Sequence, residues 1–384
     1  MKGSGSLLAA ALFACAPTAL VAPPFEPLLE PPPSEVAAVL LLVGDAGDAA
    51  REVSPLLHRL RADVERWSET LPPDRPVAVA FLGDNVYPEG IRDRDDASFA
   101  RDSALLAGQV WTLTGPAAQA HRTRGLFLAG NHDWGNLPGG PGLPRLRNME
   151  ALLARLASSG SHVELVPEAG EPGPAIVDLG SAAQLVILDT PWWLQAYASG
   201  GRADEVVDEI AAVLAGARDR PSIVLAHHPY ASGGPHGGRR LPLTPEWLLH
   251  KAGALVQDLN SEPYRRLRAR LGDAFERGGT PLIFAGGHDH SLQVHEGGSA
   301  REPTWMLVSG AGSHVTPVRE VESLVWSAPL GGYMRLVFRV GGGIDLHVVA
   351  ASPDVLECSA GPDAGRCVEQ GMAAFRIVYA TRVG

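Results

Sequence analysis

The chain has 384 residues, of which 45% are hydrophobic and 20% charged, which excludes a disordered or low-complexity protein and leaves room for one large domain or two medium ones. Its formal net charge of −11 excludes a non-specific nucleic-acid binder, which needs a basic surface. No apolar stretch is long enough to span a bilayer as a helix.

In chain order, the first feature is a short apolar run, Leu7 to Ala14, placed after Lys2 and before Cys15. That is the layout of a secretory signal. Leu12-Phe13-Ala14-Cys15 is similar to a bacterial lipobox, so Cys15 is the expected lipidation site. The expected location is then the cell envelope, with the protein anchored on a membrane surface rather than across it. The alternative is the tail of a cytosolic protein. Residues 16–34 are rich in proline and small residues and read as an extended tether. The single domain is expected over residues 35–384.

From there apolar runs alternate with helical spacing. Strands are expected at Val36–Val43, Val77–Leu82, Leu126–Ala129, Leu185–Asp189, Ser222–Ala226 and Leu282–Ala285. Helices are expected at Arg51–Glu69, Phe99–His121, Met149–Ala157, Glu205–Ala217 and Tyr264–Arg277. Beyond Ala285 the helical signal stops, and Trp305–Ser309, Tyr333–Val340, Ile344–Ala350 and Phe375–Ala380 read as strands. Gly135–Pro144 and Ser232–Pro245 read as loops around a site. Cys358 and Cys367 flank a segment of Ser, Gly, Pro and Asp that closes easily, so a disulfide is expected in an oxidising compartment. Two free thiols are the alternative; a zinc site is not, since two thiolates do not complete one.

Five of the strands end in polar residues able to bind metal. The stretches are Gly44-Asp45-Ala46-Gly47-Asp48, Gly83-Asp84-Asn85-Val86-Tyr87, Gly130-Asn131-His132-Asp133, Ala226-His227-His228-Pro229 and Gly287-His288-Asp289-His290. In open α/β sheets, ligands sit at the carboxyl ends of strands. Carboxylate, amide, imidazole and phenol together suit a pair of hard or borderline cations, and such pairs serve displacement at phosphorus. Asp84 is the expected bridge, because a carboxylate can offer one oxygen to each ion. Asp48 is the less certain carboxylate and is expected to cap the following helix. His288 and His290 are separated by one residue, so on a strand both face the same side. His228 then faces away from His227 and is expected to be structural or to stand behind the metal ligands. Tyr87 is the diagnostic residue: a phenol ligates at neutral pH only where a strongly Lewis-acidic ion such as Fe(III) removes its proton.

These motifs resemble those of the calcineurin-like metallophosphoesterases, and within them the purple acid phosphatases of the small, tartrate-resistant type. Three features carry the resemblance. Gly47 stands where most of the superfamily has a histidine; Tyr87 stands where purple acid phosphatases supply the replacement ligand; and the histidine motifs around His227 and His288 follow that family's patterns. The resemblance covers about Val43 to Gln293. It implies a four-layer α/β/β/α sandwich of two mixed β-sheets flanked by helices. It implies Fe(III) held by Asp45, Asp84, Tyr87 and His290, and a divalent ion (Fe, Zn or Mn) held by Asp84, Asn131, His227 and His288. It further implies that His132 and His236 contact the substrate or donate protons. The implied activity is acid-phosphatase hydrolysis of small phosphate monoesters by a metal-bound hydroxide. A phosphodiesterase or nucleotide hydrolase on the same site is the alternative enzyme, and a non-catalytic lipid-anchored binding protein is the alternative of another class. No His-Glu-x-x-His helix and no Gly-x-Ser-x-Gly elbow occurs, which argues against a zinc protease and a serine hydrolase.

Overall fold

A computed structural model describes residues 28–136, 142–157, 161–194, 201–217, 220–237 and 256–384. Cys15, most of the tether and much of the two Gly/Pro-rich loops lie outside the described residues.

The strands are β1 (Val36–Val43), β2 (Val77–Phe81), β3 (Arg124–Phe127), β4 (His162–Leu165), β5 (Ala175–Leu179), β6 (Ala183–Ile187), β7 (Ser222–Leu225), β8 (Ile283–Gly286), β9 (Leu292–Glu296), β10 (Trp305–Ser309), β11 (Leu324–Ala328), β12 (Gly331–Arg339), β13 (Ile344–Ala351) and β14 (Arg376–Arg382). They form two seven-stranded sheets, ordered β14-β13-β12-β1-β2-β3-β4 and β11-β9-β10-β8-β7-β6-β5. Both are mixed. In the first, β1 to β4 run parallel while β12 to β14 are antiparallel neighbours; in the second, β10, β8, β7 and β6 run parallel between antiparallel edges.

The helices are α1 (Pro55–Thr70), α2 (Phe99–Trp111), α3 (Pro116–His121), α4 (Gly142–Ala157), α5 (Thr190–Leu194), α6 (Gly201–Gly216), α7 (Glu262–Gly278) and α8 (Ala364–Ala374). Ser54 caps α1 by accepting from the Leu57 amide, and Ser261 caps α7 by accepting from the Tyr264 amide; each is followed closely by a proline.

Three apolar layers separate the elements. One packs α1, α2 and α4 on the first sheet, one fills the space between the sheets, and one packs α6 and α7 on the second sheet. β1 shows why: Val39, Leu41 and Val43 enter the helix-side layer, while Ala38, Leu40 and Leu42 enter the inter-sheet layer. The fold is therefore an α/β four-layer sandwich, as the resemblance implies.

Several expectations need correction. The segment Phe99–His121 is two helices, because Gly115 precedes Pro116 and takes an extended conformation that ends the helical path. The C-terminal part is not all strand. Residues 364–374 form α8, which places Gly371 against Pro55 at the start of α1. Its two glycines and short apolar stripe hide the helical period. Cys367 lies on this helix and is joined to Cys358, with Cα atoms 5.9 Å apart. Glu30, within the range read as tether, is paired with Arg66 and with buried Arg335 on β12. No described helix is long and apolar enough to cross a membrane.

Candidate metal centre

Each of the five polar stretches leaves the carboxyl end of a parallel strand. Asp45 follows β1, Asp84 follows β2, Asn131 and His132 follow β3, His227 follows β7, and His288 and His290 follow β8. The first three strands belong to one sheet and the last two to the other, so the site lies across the mouth of the sandwich. Donor atoms of Asp45, Asp84 and His227 all lie within 4.8 Å of one another, as do those of His227, His228 and His288.

On one flank the Tyr87 hydroxyl is 3.1 Å from Asp45 Oδ1, 3.1 Å from Asp84 Oδ2 and 3.0 Å from His290 Nε2. His290 Nε2 is also 3.5 Å from Asp45 Oδ1. One phenolic proton cannot serve three acceptors. On the other flank His227 Nδ1 is 2.9 Å from the Leu82 carbonyl, which can only accept, so Nδ1 carries the proton. His227 Nε2 then presents a lone pair, yet it faces Asn131 Oδ1 at 2.9 Å and Asp84 Oδ1 at 3.4 Å. Asn131 Nδ2 donates to Asn136 Oδ1, which fixes the amide with its oxygen toward His227. His288 Nε2 donates to the Gln257 carbonyl at 3.0 Å, leaving Nδ1 as its ligand atom. Lone pairs of His227, Asn131 and Asp84 thus meet at one point and those of Asp45, Asp84 and His290 at another, with Asp84 common to both. Buried acceptors facing one another without protons are costly, and a cation at each point removes the cost. The residues present fit a dinuclear centre.

The electrostatics agree. Burial, and then the charge of Asp84, push the Asp45 carboxyl well above its usual range. Burial and the same two carboxylates push Tyr87 up as well. Burial lowers His227 and takes His288 well below the usual imidazole value, and it brings His290 down to about 4. The three imidazoles are therefore neutral and able to ligate.

The backbone is bent to make this possible. Asp45, Asp84 and His288 have φ of +58°, +52° and +67°, a left-handed conformation that costs a non-glycine residue about 1–3 kcal/mol. Gly130 allows the closest approach: a Cβ there would lie 2.1 Å from Asp84 Oδ1. At Gly47, a Cβ would lie 2.5 Å from the Asp84 carbonyl oxygen, so this backbone has no space for a histidine there.

His288 and His290 do not lie on a strand, as the spacing argument assumed, but in the bend before β9. The left-handed turn at His288 sends its ring toward His227, 5.0 Å away between centroids, while His290 turns to Tyr87 and Asp45. His228 is not remote either: its ring is 4.3 Å from His288, but both its nitrogens are used, by Thr190 Oγ1 and Gln257 Oε1. Asp48 caps no helix. It pairs with Arg101 at 3.2 Å and with His314 Nε2 at 3.0 Å.

His132 donates its backbone N–H to Asp84 Oδ1 and its Nδ1–H to the Pro88 carbonyl, which turns Nε2 to 3.9 Å from Asp84 Oδ2. His236 lies on a 3-10 turn with its ring 4.1 Å from that of His288. Sequence reasoning passed over Asp133 and His314. Asp133 accepts from the amides of Asn85, Val86 and Gly130 and so ties two ligand loops together. His314 stacks on His290 at 5.6 Å. It follows β10, a strand parallel to β8, so the strand-end rule would have found it.

No family model matches the chain, and no curated protein matches it in sequence. Solved structures do. The chain is similar to GAP50, described as the anchor in the inner membrane complex of Plasmodium, with a TM-score of 0.56, 13% identity, and 91% of this chain and 89% of that one covered. It is similar to the purple acid phosphatase PPD1 from yellow lupin seeds, with a TM-score of 0.54, 13% identity, and 91% and 54% covered. It is similar to PhoD, with a TM-score of 0.52, 12% identity, and 82% and 66% covered. The chain thus spans about half the length of the lupin enzyme and under two thirds of the PhoD chain. At such identities the likeness shows the fold alone, which the four-layer sandwich of two mixed sheets shares with these structures.

Proposed function

We propose that this protein is a dinuclear metal-dependent phosphatase of the purple acid phosphatase kind, acting on small phosphate monoesters. The observation that carries the reading is the lone pair of His227 Nε2 set against Asn131 Oδ1 and Asp84 Oδ1, beside a phenol facing Asp45, Asp84 and His290. Fe(III) fits the pocket with two carboxylates and a phenolic oxygen, and a divalent Fe, Zn or Mn ion fits the amide–imidazole pocket. When bound, such a pair activates water as a nucleophile and offsets charge on the phosphoryl oxygens.

The chain's own residues do the rest. Asp84 holds the two pockets in register and orients His132 through its backbone N–H. His132 Nε2, 3.9 Å from Asp84 Oδ2, and the His236 ring, 4.1 Å from that of His288, would bind phosphoryl oxygens and protonate the leaving alcohol. Export and lipidation at Cys15 would place this chemistry on a membrane surface of the cell envelope, with no nucleic-acid partner.

The likeness to GAP50 over most of both chains favours one other reading, an anchor without catalysis, since the fold alone does not argue an enzyme. Elemental analysis, a visible spectrum and turnover of aryl monoester and diester substrates by the purified chain separate the readings. Two metals per chain, a Tyr-dependent colour and monoester turnover support the phosphatase. Metal-free, inert protein supports the anchor, and preferred diester turnover supports a phosphodiesterase.

A further inference from the structure

We propose that Asp189 and Thr190 are positioning residues for the amide–imidazole pocket, setting the spacing between Asn131 on one sheet and His227 on the other. This rests on the dinuclear reading, since it gives that pocket an ion to hold.

A sixth strand, β6, is also followed by polar residues, Asp189 and Thr190, and it lies beside β7, which leads to His227. Both residues are buried. The Asp189 carboxylate is turned to tryptophans: Oδ1 and Oδ2 accept from Trp134 Nε1 at 3.1 and 3.0 Å, and Oδ1 accepts from the Trp192 amide at 3.0 Å. Trp134 closes the turn that carries Asn131 and His132. Its backbone N–H donates to the Gly130 carbonyl at 3.2 Å, and the amides of Gly135 and Asn136 donate to the carbonyls of His132 and Asn131 at 2.9 and 2.8 Å. The turn is thus closed on itself, and holding the indole holds both ligand-bearing positions. β3 and β6 belong to different sheets, so the bond from Trp134 to Asp189 fixes how far the Asn131 turn stands from the second sheet.

Thr190 holds the other side. Its hydroxyl oxygen accepts from the His228 backbone N–H at 3.0 Å and lies 2.9 Å from His228 Nδ1. A hydroxyl can accept one bond and donate the other, so His228 is held at backbone and ring together, directly beside His227 in the chain. Two consecutive residues therefore brace both partners of the contact between Asn131 Oδ1 and His227 Nε2. The oxygen-rich pocket is braced from another element: Arg101 on α2 donates to the Tyr87 carbonyl at 2.7 Å and to Asp48 Oδ1 at 3.2 Å. Loosening Asp189 or Thr190 should then disturb one pocket and spare the other.

The test uses the full chain and compares Asp189→Ala, Asp189→Asn, Thr190→Val and Trp134→Phe with the unaltered protein. Zinc is titrated calorimetrically into protein that holds iron, and the visible band reports the iron. Asp189→Ala, Thr190→Val and Trp134→Phe should each weaken zinc by about 10–100-fold and leave the band in place. Asp189→Asn, which keeps an oxygen for the indole, should restore part of the loss. Asp189→Ala and Trp134→Phe break the same bond, so together they should cost no more than the larger single effect. In metal-free protein, the 15N signals of the Asn131 side-chain amide should move in Asp189→Ala, and those of the His227 ring in Thr190→Val. Unchanged zinc affinity, equal loss of zinc and iron, additive losses, or Asn131 and His227 signals that stay in place overturn the proposal. Should the unaltered protein bind neither ion, the dinuclear reading fails, and the metal-free spectra alone decide whether Asp189 and Thr190 set Asn131 and His227. Where Asp189→Ala does not fold, Trp134→Phe and Thr190→Val decide the metal arm, and the metal-free spectra of Trp134→Phe replace those of Asp189→Ala.

Discussion

The two pockets on either side of Asp84 are built from different chemistry. The pocket of Asp45, Tyr87 and His290 is rich in oxygen, and burial together with the charge of Asp84 pushes both its carboxyl and its phenol up. The pocket of Asn131, His227 and His288 is made of neutral donors, each locked through its second polar atom by Asn136, Leu82 or Gln257. A strongly acidic cation would be favoured by the oxygen ligands of the first, whereas the second would offer a cation neutral lone pairs. One carboxylate joins a pocket that selects for charge to one that selects for geometry.

The largest effect is expected where the comparison collapses. Asp84→Ala removes the shared oxygens, so both metals and all turnover should be lost together, read by elemental analysis and assay. A metal-replete, active Asp84→Ala protein would sink the shared-bridge picture. Next, Tyr87→Phe and Asn131→Ala should separate the pockets. Tyr87→Phe should abolish the visible charge-transfer band while the divalent ion stays. Asn131→Ala should keep the band and weaken the divalent ion by at least about 10–100-fold. A smaller effect is expected at His314, which stacks on His290 while bound to Asp48. His314→Ala should shift the band and weaken iron by roughly tenfold, leaving divalent content unchanged.

The smallest effect concerns stability rather than either pocket. His295 is fully buried, bonded to Ser323 and Gln293, and burial lowers it to about 4. Its unfolded value is about 6.5, so the unfolded chain binds the proton first as pH falls. The contribution is therefore whole above pH ~6.5 and is lost on acidification toward pH ~4, by about 3 kcal/mol at most. Urea midpoints of metal-free protein at both pH values should show this, with a flatter dependence in His295→Gln. An equal slope in the variant would assign acid sensitivity to the pockets instead.

Much of the site was legible because strand ends are simple to read. A buried strand announces itself by an unbroken apolar run such as Val36–Val43, and the polar residue after it can only lie at the sheet's edge. What stayed hidden depends on contacts between distant segments. Asp48 looked like a helix cap because Ser54, a better cap, lies only six residues on, and nothing local shows that Asp48 meets His314. Gln257 carries no motif at all; its role shows only where it meets His228 and His288. β4, β5, β9 and β11 were missed because each is short and carries polar residues, buried Gln293 and His295 in the case of β9.

The crowding at Gly47 has a consequence for how this protein can change. A histidine placed at that position would drive its Cβ into the Asp84 carbonyl. Any side chain at position 47 therefore needs the loop of Asp84, Asn85 and Val86 to move with it, so a change there takes both loops rather than one.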